Sequence, residues 1–513
     1  MRRSLYTFPI LQLWLLIILL VSSSMGVSRP RGKKKIVAKE MKESNICDIQ
    51  NQQTAMYCYC KEDLQNATSA DCWVMSKLDR DDPLWDYFKS QIYLETLVFT
   101  VRQIDVLDYV PTALLRQLKN LHTLKIMYAN IYEITEHTFS NFGFASLNLD
   151  RNMIIALQKN AFENMRNLTE LSLQENRITD INREAFVNLP VLRKLSLHQN
   201  NISTIRDKTF KHLNLLQELE LSSNQITSIT HETFYGLRNL QRLNLRNNQI
   251  AMIGKRNFAE MPGLIELELD QNVITYISER AFDGMHDLQK LRLSENLLVK
   301  LPQDFLAGAP NVRFLDLREN ALKTMTFDNI KPIVTNLYSI NSDFYLSDNE
   351  LICDCKLAWI WGLRNETKNT HLRDTLEELT CFIESNNVSQ KNNNEGHFGR
   401  FPKEYSADYS RNDGNEYKKA DDRVDDENYS SNSNDKVNKC CIKHLFDLKP
   451  EELPCPELSR EDLMASEQPS NRHENARVGS GSSWFSSGSI SVQADRFVLA
   501  ALSLLTLSML FST

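Results

Sequence analysis

Glu170, Lys194, Glu218, Arg242, Glu266 and Lys290 stand 24 residues apart and alternate in sign without a break. A carboxylate and a cation so spaced can pair only if the fold stacks one 24-residue unit on the next. The chemistry is then ion pairing and charge-directed recognition, with no bond made or broken. The same interval carries Glu220, Glu268, Arg292 and Asp316 two residues further along, and His198, Arg246, Asp270 and Arg318 four residues further along. Bond-making chemistry has no comparable signal. The chain contains no HExxH, GxSxG, GxGxxG or P-loop signature, and its ten histidines are scattered, with no recurring catalytic spacing to cysteine or carboxylate. These residues describe a binding protein without catalytic or metal-ligating groups and without a cofactor.

The elements that must position the charges are legible in LTELSLQENRITDINREAF (Leu168 to Phe186) and LRKLSLHQNNISTIRDKTF (Leu192 to Phe210). Their apolar positions follow neither the period of 2 of a strand nor the 3.6 of a helix. Aligned first positions fall at Phe144, Leu168, Leu192, Leu216, Leu240, Leu264, Leu288 and Val312, each step being 24 residues, with looser copies before and after. The shared pattern LxxLxLxxNxIxxIxxxxFxxLxx is the leucine-rich repeat. LxL is a short strand with alternate residues inward, the chain turns at Asn, and Ile, Ile and Phe fill the rest of the coil. One repeat buries too little to order itself, so stability comes from stacking. The expected fold is an α/β-type solenoid with a curved parallel β-sheet on its concave face and an irregular or short-helical convex face. Repeats run over 93–350, about 10–11 of them.

The column Asn152, Asn176, Asn200, Asn224, Asn248, Asn272, Asn296 and Asn320 is structural: a buried amide both donates and accepts, and so satisfies backbone groups where the strand turns. Function belongs to the faces. Positions 2, 3, 5, 7 and 8 of the repeat point to the concave side, which places the six alternating charges at position 3 in a ladder across neighbouring strands about 4.8 Å apart. The ladder stabilises the sheet, and its alternation also suits recognition of a second, inverted copy. Reversing Glu218 and Glu266 together is expected to change partner choice. Exposed aromatics are few on this face, with Tyr128 and Phe314 at opposite ends.

The net charge of −7 over 513 residues argues against a general nucleic-acid binder. The N-terminus reads as a signal peptide (1–26), then a basic tail (27–46) whose Arg29, Arg31, Lys33, Lys34 and Lys35 could touch heparan sulfate. The C-terminus has small residues, a polar spacer and an apolar run from Phe497 to Phe511, the order of a signal exchanged for a GPI lipid. Attachment is assigned to Ser486 or Ser487, with a Ser-rich stalk at 461–487 and a removed propeptide at 488–513. Six sequons, at Asn66, Asn167, Asn201, Asn365, Asn387 and Asn428, suit an extracellular glycoprotein. The ten cysteines flank the repeats: Cys47, Cys58, Cys60 and Cys72 before, and Cys353, Cys355, Cys381, Cys440, Cys441 and Cys455 after. Disulfides fit a secreted chain, whereas zinc lacks CxxC or nearby CxxH spacing. The stretch 386–438, rich in Asn, Asp, Lys, Ser and Tyr, is expected to be disordered, and its Tyr429 is a weak sulfation candidate.

A stack of coils leaves two apolar ends, and the cysteine groups sit where caps belong. CDIQNQQTAMYCYCKEDLQNATSADC resembles the N-terminal cap of extracellular leucine-rich-repeat proteins, here 47–92, which implies Cys47–Cys60 and Cys58–Cys72 bridges. CDCKLAWIWGLRNET with Cys381 and FDLKPEELPC resembles the C-terminal cap, here 351–385 and 439–460, and implies Cys353–Cys381 and Cys355–Cys455. The polar insertion and Cys440 and Cys441 depart from that pattern. From signal to tail, the arrangement resembles the GPI-anchored leucine-rich-repeat adhesion proteins of the insect neuromuscular system. The resemblance implies homophilic cell–cell adhesion in target recognition between motor axon and muscle. A GPI-anchored co-receptor for a secreted ligand is the alternative.

Overall fold

Each LxL segment forms a strand of three residues, because only its middle leucine and the leucine two positions on can be buried while the flanking polar side chains face out. The computed structural model describes residues 45–49, 54–61, 66–102, 106–383 and 442–455. The sequence assignments at 1–26, at 386–438 and from 461 onward lie outside them. So do Arg29, Arg31, Lys33, Lys34, Lys35, Asn387, Asn428, Tyr429, Cys440, Cys441, Ser486 and Ser487.

One 13-stranded sheet runs the length of the solenoid with its strands in sequence order. They are β1 (Met56–Lys61), β2 (Ser69–Val74), β3 (Thr96–Val101), β4 (Thr123–Met127), β5 (Ser146–Asn148), β6 (Glu170–Ser172), β7 (Lys194–Ser196), β8 (Glu218–Glu220), β9 (Arg242–Asn244), β10 (Glu266–Glu268), β11 (Lys290–Arg292), β12 (Phe314–Asp316) and β13 (Asp343–Tyr345). From β2 onward every neighbour is parallel and in register, so Glu170 lies beside Lys194, Lys194 beside Glu218, and so on to Lys290 beside Phe314. The return path carries turns and two-residue strands, with single helical turns only near the ends, at Thr112–Leu115, Phe327–Ile330 and Val334–Leu337. Inside, Phe139, Phe162, Phe186 and Phe210 stack in succession with ring centroids 5.4–6.4 Å apart. Phe234, Phe258 and Phe282 continue the filling at 6.1–6.3 Å.

The asparagine column ties coil to coil. Asn224 Nδ2 donates to its own coil at Leu221 O (3.0 Å) and to the preceding coil at Leu197 O (2.9 Å). Its Oδ1 accepts from Ile202 N of that preceding coil at 3.0 Å. Leu221 O is in turn bonded by Asn248, so each carbonyl is shared by two successive asparagines. The residue ahead of each column asparagine turns through the left-handed region, at φ 52° for Glu175, 55° for Gln199 and 53° for Asn247. This conformation is costly for a side chain with Cβ. It aims the backbone N–H at the next coil, as in Gln199 N to Ser222 O at 2.9 Å.

Both ends are covered. At the N-terminal end β1 and β2 form an antiparallel hairpin that continues the sheet, with Cys58 and Cys72 paired in register and bonded, and Cys47 bonded to Cys60. This cap begins earlier than the first cysteine: Ile46 is fully buried, and Asn45 accepts from Gln91 Nε2 at 2.7 Å, so both leave the basic tail and join the cap core. At the other end α1 (Trp359–Glu366) and α2 (Thr370–Glu377) bury Ile360, Leu363, Leu372 and Leu376 over the last coil. Cys353 is bonded to Cys381 and Cys355 to Cys455, which draws the segment beyond the insertion onto the cap. There Leu445 is fully buried.

Candidate functional site

The parallel register sets the position-3 charges side by side on the concave face. They close into the chain Lys194–Glu218 (3.0 Å), Glu218–Arg242 (3.6 Å), Arg242–Glu266 (3.1 Å) and Glu266–Lys290 (3.6 Å). Glu218 and Glu266 each bridge two cations. Glu170 does not join: although aligned with Lys194, it has no cation within ion-pair distance among the described residues, and Lys194 turns to Glu218 instead. The hydrogen bond that the Lys194 ammonium donates to Glu218 holds it above its ordinary pKa. Together with Arg193, Gln217, Gln241 and Ile265, the row from Glu170 to Glu266 lines a shallow groove of about 400 Å³.

Beside this row lie further partly or fully buried acids. Burial raises the pKa of Glu220, against the pull of Lys194 and Asn244. Burial also raises Glu268, helped by Asp270 and Glu266 and opposed by Arg292. Asp270, only 5% exposed, is likewise raised by burial against Arg246, whose Nε lies 3.0 Å from Oδ2. Its Oδ1 accepts no hydrogen bond among the described residues. A folded pKa above the unfolded value means that ionisation penalises the native state. That penalty is absent below the unfolded pKa of about 4.3 for Glu. It is complete above the folded value. Glu268→Gln is therefore expected to raise the melting temperature at pH 7.4 and to leave it unchanged near pH 3.5, as read by thermal denaturation at both pH values. The gain should be small, about 1–2 °C, because partial exposure screens the charge.

The C-terminal end of the face is built differently. The guanidinium of Arg292 lies 4.6 Å over Phe314 and that of Arg318 lies 4.7 Å over Tyr345, while the two rings are 5.7 Å apart. Buried Asp316 receives both Arg318 Nε (3.0 Å) and Nη2 (2.7 Å), which fixes that side chain. Tyr345 Oη is 3.2 Å from His371 Nε2 on α2. Sequence reading places Phe314 here but misses Tyr345 and His371. The last step, from Phe314 to Asp343, is 29 residues rather than 24, so counting loses the register, and His371 arrives only through cap packing. Tyr128, at the other end, is 48% exposed and hydrogen-bonded to Arg151 Nη1 at 2.9 Å.

The sequon asparagines within the described residues, Asn66, Asn167, Asn201 and Asn365, are all exposed. Asn167 precedes β6 and Asn201 follows column residue Asn200, so both sit on the flanks of the sheet. In the third position of the Asn365 sequon, Thr367 is buried, with Oγ1 on Leu337 O at 3.1 Å.

A family model described as leucine rich repeat matches residues 143–202, 190–250 and 238–298. Over 372 residues the chain is 58% identical to Connectin of Drosophila melanogaster, covering 72% of this chain and 53% of that protein. It thus spans about half the length of this relative. Among solved structures, an internalin of Listeria monocytogenes is 17% identical and covers 64% of this chain and 92% of its own, with a TM-score of 0.42. A leucine-rich-repeat protein of Leptospira interrogans is 22% identical and covers 63% and 78%, with a TM-score of 0.41. On the stacked coils, the matched repeats and the identity to Connectin, the chain belongs to the leucine-rich-repeat family.

Proposed function

We propose that this chain is a cell-surface adhesion protein that recognises further copies of itself. The reading rests on the position-3 row, where alternating charge is laid in register along an accessible face, so that an inverted copy offers an acid for every base. The identity to Connectin supports an adhesion role, and the resemblance to insect neuromuscular adhesion proteins supplies the setting, contact between motor axon and muscle. The apolar C-terminal run supports GPI anchoring at the outer membrane face through Ser486 or Ser487. An anchor of that kind has no cytoplasmic part, so any signal needs a membrane partner. The basic tail, with Arg29, Arg31, Lys33, Lys34 and Lys35, is a secondary contact for heparan sulfate.

A two-colour aggregation assay on non-adhesive cells tests this reading. Cells displaying the chain are expected to cluster with one another and to exclude cells carrying empty vector. Dispersed cells despite confirmed surface display would sink it. The second reading, a co-receptor for a heterophilic protein ligand, is favoured by the Arg292, Phe314, Arg318 and Tyr345 group, since arginine and tyrosine in a pre-ordered cluster are the composition of binding hot spots. Under that reading, dispersed cells would still capture a secreted ligand, and Tyr345→Ala would abolish the capture.

A further inference from the structure

Building on the self-adhesion reading, we infer that two copies meet concave face to concave face about a two-fold axis parallel to the strands and lying between β8 and β9. Rotation about such an axis reverses the order of coils while preserving position within each strand. It lays β6 of one copy over β11 of the other, β7 over β10, β8 over β9 and β5 over β12.

Three separate rows agree with this axis. At position 3, Glu170 faces Lys290, Lys194 faces Glu266 and Glu218 faces Arg242, each match in register occurring twice by symmetry. At position 7, Asp150 faces Arg318 and His198 faces Asp270; at position 8, Arg151 faces Glu319. The one like-charged match is Glu175 against Glu295. Glu175 is already held by Arg151 at 3.0 Å, and Glu295 by Gln271 Nε2 at 2.9 Å.

Neighbouring axes fail. Centred on β8, the axis sets Glu218 on Glu218, Lys194 on Arg242 and Glu170 on Glu266. Moved to the gap between β7 and β8, it sets Lys125 on Arg292 as well as Asp150 on Asp270, two like-charge matches rather than one. Moved to the gap between β9 and β10, it sets Glu170 on Asp343 and Glu175 on Asp348. Like-charge juxtaposition across an interface is what suppresses a wrong register.

The distribution of unpaired charge agrees with the curvature. Two concave faces stand apart at the axis and converge away from it. Near the axis the charges are satisfied within each copy, as in Lys194–Glu218 and Arg242–Glu266. Further out, on β6 and β11, lie Glu170 and Arg292, neither of which has an opposite charge within 4.0 Å among the described residues. Lys290 has an acid on one side only, at 3.6 Å, with Phe314 on the other. Overlaying β6 on β11 brings the lone acid of one copy to Lys290 and Arg292 of the other, on both sides of the axis.

Two single reversals test this register in full-length chain on cells. Glu170→Lys cells and Lys290→Glu cells are each expected to self-cluster about tenfold less than wild type, because every pair of copies carries the like-charge contact twice. Mixed in two colours, they are expected to regain wild-type clustering, since each lysine then meets a glutamate. That rescue also demonstrates that both variants are folded. If wild-type cells cluster and Glu170→Lys cells cluster as well as they do, the register is wrong while self-adhesion stands. Failure of the mixture to recover, at surface display equal to wild type, also overturns the register. If wild-type cells do not cluster, the self-adhesion reading itself falls.

Discussion

Asn224→Ala is expected to lower the unfolding free energy by about 3 kcal/mol, the scale of leaving buried polar groups without partners. Asn224 accepts from Ile202 N at 3.0 Å and donates to Leu197 O at 2.9 Å and Leu221 O at 3.0 Å. The two carbonyls keep a second amide, from Asn200 at 3.1 Å and Asn248 at 3.0 Å, so each loses one of two bonds. The Ile202 N–H has no such reserve and is left orphaned in the interior. Because these bonds cross from one coil to the next, the loss falls on the stacking term that stabilises a repeat array. Thermal melting is expected to drop by about 5 °C or more. The exposed neighbour provides a control: Gln225→Ala is expected to stay within about 0.5 kcal/mol of wild type. Equal melting of the two variants would show that the amide column does not couple the coils.

Gly308→Ala is expected to be comparably damaging, about 3 kcal/mol, through steric conflict rather than a lost bond. A Cβ at Gly308 would lie 2.5 Å from Asp283 Cα and 2.5 Å from Phe282 O. Both are backbone atoms of the preceding coil, so no rotamer change can relieve the contact. The coils must separate where Phe282 meets Phe305 at 6.3 Å, loosening the aromatic filling. Gly143→Ala offers the comparison, since a Cβ there meets nothing within 4 Å and the variant is expected to melt with wild type. Denaturant titration of the purified chain distinguishes the two, and matching midpoints would show that the coils can part at no cost.

The two substitutions illustrate different kinds of legibility. The asparagine column is visible in the sequence because one buried turn, repeated every 24 residues, requires the same donor–acceptor side chain each time. The need for glycine at 308 is not visible. Glycine recurs at that repeat position as Gly236 and Gly284, both with positive φ, but Gly308 is constrained by its distance to the neighbouring coil rather than by its own dihedral. Inter-coil approach is a property of the packed stack, and the recurrence of glycine does not by itself show which copies are held tightly against the neighbouring coil.

The same division holds at the concave face. The sequence by itself determined coil length, the inward leucines, the capping asparagines and which charges share a row, because a 24-residue repeat of strand, turn and return allows one register only. Which charges within a row join was decided by the tertiary structure. Lys194 has an acid on either side and its side chain reaches Glu218, leaving Glu170 outside the chain of close ion pairs. Likewise Tyr345 and His371 join Phe314 only because α2 packs against the last coil, and Ile46 enters the cap only because the turn that carries it packs against β1. Periodicity specifies backbone placement; the choice among several reachable partners depends on side-chain conformation and on contacts between elements distant in sequence, which no local pattern encodes.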